Sequence, residues 1–102
     1  MSESTFIGYV GEADFHDGSI IAIENQSGSV RVRVRGASGK KFVVDFIGAQ
    51  AVRAKDAEGM TLYALSKFSG VPPLNRYVFA NWDSESEAYL EVDAEEFAVH
   101  AE

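Results

Sequence analysis

The chain of 102 residues contains no cysteine. That excludes disulfides, thiolate zinc sites and cysteine nucleophiles together. Two histidines leave little material for an imidazole metal centre, and the two prolines are adjacent, at Pro72-Pro73. Long stretches are therefore able to join hydrogen-bonded ladders. No run approaches the roughly 18 consecutive apolar residues that a membrane helix needs. The opening MSESTFIGYV has no basic n-region, apolar h-region or small-residue cleavage site, so no signal peptide is read there and a cytoplasmic location is expected. In that setting the sequon Asn25-Gln26-Ser27 is a coincidence.

Charge is missing by region as well as by sign. Residues 1–30 carry five acids and no base, residues 31–76 hold all nine bases against three acids, and residues 77–102 carry eight acids and no base. The net charge is −7, which disfavours nucleic acid as a partner because phosphate binding needs clustered Lys and Arg on an open face. The same segregation lets acidic end segments neutralise the basic middle across strands.

What is present is a globular composition, 46% hydrophobic and 25% charged, and a length suited to one domain. The clearest pattern is Ser29–Arg35, where Val30, Val32 and Val34 alternate with Arg31, Arg33 and Arg35. Period-2 alternation marks a half-buried strand. After the turn Gly36-Ala37-Ser38-Gly39, Lys40–Ile47 places Phe42, Val44 and Phe46 on one face. A hairpin register that opposes Val34 to Phe42, Val32 to Val44 and Arg31 to Asp45 keeps charge out of the core, whereas a slip of one residue buries Arg33 against Phe42. Carrying the same parity into Ser19–Glu24 adds Ile21 and Ile23. The expected core face is thus Ile21, Ile23, Val30, Val32, Val34, Phe42, Val44 and Phe46.

The remaining segments are less uniform. Thr5–Val10 reads as a short first strand, and Asp17-Gly18 and Asn25-Gln26-Ser27-Gly28 as turns. Residues 49–58 have helix-favouring composition, with a strand the close alternative. Met60, Tyr63, Ala64 and Phe68 fall at helical spacing, so one short helix near 59–68 is allowed for. Residues 69–74 form a proline loop. Arg76–Trp82 and Ala88–Asp93 form a last hairpin, inward at Tyr77, Phe79, Leu90 and Val92, with Asp83-Ser84-Glu85-Ser86 as its turn. Glu95–His100 closes the chain as a strand. The expected fold is mainly β, a single domain over residues 1–102, built as an antiparallel sandwich or partly open barrel of about 7–8 strands.

Chemistry-bearing motifs are few. Asp14, His16 and Asp17 form the one local cluster of potential ligands, a weak candidate site for which local structural hydrogen bonding is the leading reading; a metal site needs three or four ligands that converge. Gly36-Ala37-Ser38-Gly39-Lys40 is not a phosphate-binding loop, because Val34 stands where that motif needs its first glycine and Lys41 where it needs Ser or Thr. No nucleophile elbow occurs, and no cofactor or metal is implied. The arginine stripe Arg31, Arg33 and Arg35 is the candidate interaction face. Guanidinium groups in a row, about 7 Å apart, suit carboxylates on a partner, although Glu24 and Asp45 are also placed to hold them.

The segment Phe15-His16-Asp17-Gly18-Ser19-Ile20 leading into hairpins, with Phe46-Ile47-Gly48 and Leu90-Glu91-Val92 at strand ends, resembles small bacterial all-β proteins with a Phe-His-Asp segment. Most of these are of unknown function, and some similar ones are immunity proteins that neutralise toxins of competing bacteria. The resemblance implies a non-enzymatic binding protein and brings no catalytic residues with it. The leading expectation is a non-enzymatic, protein-binding β domain, an immunity or accessory protein, whose partner is another protein. A small-ligand or enzymatic domain with a site near Asp14, His16 and Asp17 is the alternative, and a self-associating structural subunit, hence a homo-oligomer, is the third.

Overall fold

The computed structural model describes residues 5–82 and 86–102. Nine strands lie among these residues: β1 Phe6–Val10, β2 Ser19–Gln26, β3 Ser29–Arg35, β4 Lys41–Ile47, β5 Ala51–Lys55, β6 Leu62–Ser69, β7 Asn75–Asn81, β8 Tyr89–Ala94 and β9 Glu96–Ala101. One 3-10 turn, Ala13–Phe15, precedes β2. The strands form two antiparallel sheets, five strands in the order β1-β6-β7-β8-β5 and four in the order β2-β3-β4-β9. Neither sheet closes into a barrel, so the sandwich is the architecture. Most of the turn Asp83-Ser84-Glu85-Ser86 lies outside the described residues. No helix among the described residues is long and apolar enough to cross a membrane.

The β3–β4 hairpin has the register its alternation predicts, with Val34 opposite Phe42, Val32 opposite Val44 and Arg31 opposite Asp45. Val30, Val32, Val34, Phe42, Val44 and Phe46 are all buried. They meet Leu62, Leu65, Tyr77, Phe79, Leu90 and Val92 from the other sheet in one core. Phe46 bridges the layers, with its ring centroid 5.2 Å from Tyr77 and 5.9 Å from Phe79. Residues 51–55 are a strand because β8 supplies an antiparallel partner from Ala51 opposite Asp93 to Lys55 opposite Tyr89; tertiary pairing overrides a weak helical preference.

Two expectations are corrected, both by the same device. The short helix allowed for near 59–68 is absent: Leu62–Ser69 is strand β6, flanked by β1 and β7. Between Leu62 and Ala64 its register with β7 shifts, so Tyr63 is an inserted residue. A bulge of this kind adds one residue to a strand and changes which side chains face inward. Leu62 and Leu65, three apart, are therefore both fully buried, a spacing that in sequence looks helical. In β2 the register shifts between Ile20 and Ala22. Ile20 is 1% exposed and Ile21 40%, so Ile20 takes the core place that simple parity gives to Ile21. Ile23, opposite Val32, packs against the core as expected.

The bulge makes a pair of neighbouring isoleucines unequal. Ile20→Ala should lower the unfolding free energy by about 2–5 kcal/mol, and Ile21→Ala by no more than about 0.5 kcal/mol. Urea unfolding followed by circular dichroism checks this, and the reverse ranking would show that β2 runs without the bulge.

Candidate functional site

The arginine stripe lies on the outer face of the four-stranded sheet and is largely occupied within the chain. Arg31 Nε donates to Asp45 Oδ1 at 2.8 Å, and Arg33 Nε donates to Glu24 Oε2 at 2.8 Å. Arg33 also reaches the Glu102 carboxylate. These hydrogen bonds, with the charges behind them, raise both guanidinium groups above their ordinary values. His100 Nε2 stands 3.6 Å from Asp45. Arg35, opposite Lys41 and Ser19, has no ion pair among the described residues.

Asp14, His16 and Asp17 sit on or beside the 3-10 turn, and each engages a different group. The Asp14 carboxylate accepts from Ser38 N–H at 3.1 Å and Ser38 Oγ at 2.7 Å, tying the turn to the β3–β4 loop. Gly36 is required there, because a Cβ would collide with the Asp14 carboxylate. Asp17 adopts φ 66° and donates its N–H to the Leu62 carbonyl. His16 turns the other way, with Nδ1 3.0 Å from the Tyr63 carbonyl and Nε2 3.8 Å from the Asp17 carboxylate. Among the described residues no three His, Asp or Glu side chains group as metal ligands.

His16 instead belongs to an aromatic surface that sequence reading does not assemble. Its ring meets Tyr63 edge-on at 5.3 Å and Trp82 at 5.1 Å. Tyr63 and Trp82 stack with planes 12° apart. Tyr9 meets Tyr63 at 5.9 Å, and Phe6 meets both Tyr9 and Phe68, at 5.1 and 5.4 Å. The rings thus run in one connected row across β1, β6 and the end of β7. Phe6, Ile7, Tyr9, Tyr63 and Trp82 are exposed, Tyr9 by 61% and Trp82 by 52%. Below them Tyr9, Glu12, His16 and Tyr63 line a cleft of about 360 Å³. Comparison with known proteins gives no matching family model, no similar curated protein and no similar solved structure.

The signals for this surface are scattered through the sequence. Phe6 and Tyr9, three apart, share a face only because β1 shifts register between Phe6 and Gly8, making Ile7 an inserted residue. Tyr63 is the inserted residue of β6, and Trp82 follows the last residue of β7. One local clue is present: Phe6-Ile7-Gly8-Tyr9-Val10 is a strand without a single charged residue.

The opposite end of the same outer face is charged and closed. Arg53 donates to Glu91 at 3.0 Å and to Asp93 at 2.9 Å, and Arg76 donates to Asp93 at 3.0 Å. Burial pushes the Asp93 carboxyl upward, but the hydrogen bonds from Arg76 and Arg53 outweigh it and hold the group below its ordinary value of 3.8. A depressed carboxylate contributes stability that is present above its unfolded value and is lost as pH falls through the folded one. Asp93→Asn should therefore melt lower than the native protein at neutral pH. Its melting temperature should also change less as pH drops from about 6 to about 3, as thermal melts across that range will show. An unchanged acid limb would mean that Asp93 is not held by its arginines.

Proposed function

We propose that this is a non-enzymatic, protein-binding β domain whose binding surface is the aromatic face of β1, β6 and the end of β7. The observation that carries the reading is the connected row of Phe6, Tyr9, Tyr63 and Trp82, exposed on a sheet whose other half is closed by ion pairs. Aromatic side chains are enriched at protein interfaces, and large contiguous apolar patches on soluble domains mark sites of association. Rigid rings also offer large contact area at low entropic cost. The arginine face is the weaker candidate, since a partner carboxylate would have to displace Asp45, Glu24 or Glu102 from two of the three guanidiniums.

Binding rather than catalysis also suits the groups beside the rings. The His16 Nδ1 lies 3.0 Å from the Tyr63 carbonyl, and the Asp14 carboxylate accepts from Ser38 and not from His16. The resemblance of the Phe15–Ile20 segment to small bacterial all-β proteins, some similar to immunity proteins, supports a cytoplasmic immunity or accessory role. The cleft beside His16 favours, as a second reading, a small ligand, which would raise the melting temperature on binding.

Affinity capture from a lysate of the source organism separates the two faces. Native protein and the Arg31→Glu/Arg33→Glu/Arg35→Glu variant should retain the same partner, and Tyr9→Glu/Trp82→Glu should lose it, with all three folded by circular dichroism. Loss with the arginine variant alone would move the binding surface to the other sheet. Indifference to both would remove this reading.

A further inference from the structure

We propose that the free edge of β1 and the cleft beside it take an extended basic segment of the partner, added as a strand, with one Lys or Arg side chain seated among Tyr9, Tyr63 and Glu12. This rests on the aromatic face being the binding surface and specifies what that surface recognises.

The two sheets have four edge strands, β1, β5, β2 and β9. An edge presents unpaired N–H and C=O groups, and natural edges are commonly protected by charged side chains. β5 carries Arg53 and Lys55, β2 carries Glu24, and β9 carries Glu96 and His100. β1 carries none of these. Its bulge affects only the first half, and Gly8, Tyr9 and Val10 pair regularly with Lys67, Ser66 and Leu65. On the other side no strand among the described residues pairs with it. Strand addition to such an edge takes affinity from main-chain hydrogen bonds and specificity from pockets for alternate side chains.

A pocket lies beside this edge. The cleft of about 360 Å³ opens beside β1, is lined by Tyr9, Glu12, His16 and Tyr63, and has no Lys or Arg in its wall. The Glu12 carboxylate makes neither a capping hydrogen bond to the 3-10 turn nor an ion pair with Lys or Arg among the described residues. Aromatic faces and a carboxylate are the elements that hold a cationic side chain. Glu12, Asp14 and Asp17 follow β1 directly in the chain, and none of them forms an ion pair with Lys or Arg among the described residues. The same charge argues against a second copy as the occupant, since β1 against β1 would bring two such acidic segments together in a protein of net charge −7.

The probe is a fluorescein-labelled ten-residue peptide of alternating Val and Arg, read by fluorescence anisotropy, with matched peptides carrying Gln or Glu in place of Arg. The Arg peptide should bind at least about tenfold tighter than the Glu peptide and weaken with salt. Tyr9→Ala and Glu12→Gln, at exposed positions, should each weaken it about three- to tenfold. N-methylation of alternate peptide amides should abolish binding in one register and spare it in the other. Equal binding of all three peptides, or indifference to Tyr9→Ala and Glu12→Gln, overturns the cationic pocket, and indifference to N-methylation in both registers overturns strand addition. A dimer by light scattering that Tyr9→Glu dissolves overturns the proposal in favour of a second copy. If lysate capture depends on Tyr9 and Trp82 while no peptide binds, this proposal falls and the aromatic binding face stands; if capture ignores those residues, both fall.

Discussion

Which side of a strand meets water is a parity choice, and in β1, β2 and β6 an inserted residue reverses that choice part-way along. The inserted residues are Ile7, Ile21 and Tyr63, and all three are exposed large hydrophobics. Each lets two residues three apart share a face: Phe6 with Tyr9, Ile20 with Ile23, Leu62 with Leu65. In β2 and β6 the pair completes the core. In β1 it brings two rings together on the outside. The sandwich core and the aromatic face therefore depend on the same local departure from regular pairing, which also strengthens strand twist.

The ion pairs explain why the sequence segregates its charge. Bases of the middle segment meet acids of both ends: Arg33 with Glu24 and Glu102, Arg53 with Glu91 and Asp93, Arg76 with Asp93, Lys55 with Glu87. Antiparallel pairing of β3 with β2 and of β5 with β8 places these blocks opposite one another. Each surface pair is worth at most about 1 kcal/mol, so their main consequence is for where charge remains open. Glu12, which lines the cleft beside the aromatic row, and Asp17, next to His16, are paired with no Lys or Arg among the described residues. Two carboxylates thus stand without a Lys or Arg partner on the side of the molecule that carries the exposed rings.

The regular half of this fold was legible in the sequence. Strict alternation in Ser29–Arg35 and Lys40–Ile47 set strand, face and register together, because a slip there buries an arginine. The inward residues of β7 and β8 followed from the same period. Legibility stopped at the bulges, since an inserted residue leaves no mark in a pattern of polar and apolar letters. Plain parity therefore points Ile21 inward, and Met60, Tyr63, Ala64 and Phe68 fall at a spacing that looks helical. The aromatic face was hidden by the same cause plus distance, for Tyr9, Tyr63 and Trp82 are joined only by tertiary pairing. The arginine stripe stood out because alternation made it visible, not because it is the more open surface.

That contrast bears on how an exposed row is weighed. Arg31 and Arg33 look accessible along the sequence, yet folding supplies them with carboxylates at hydrogen-bond distance. A partner would gain only the difference between its own contacts and those it displaces. Tyr9 and Trp82 touch other rings, but those contacts leave more than half of each side chain in water. Covering them removes apolar surface from solvent without breaking an existing hydrogen bond, so the gain is not offset by a loss within the chain. An edge strand that also lacks charge adds main-chain donors and acceptors to the same place. Free energy for association is therefore concentrated at β1, where the sequence shows only five uncharged residues.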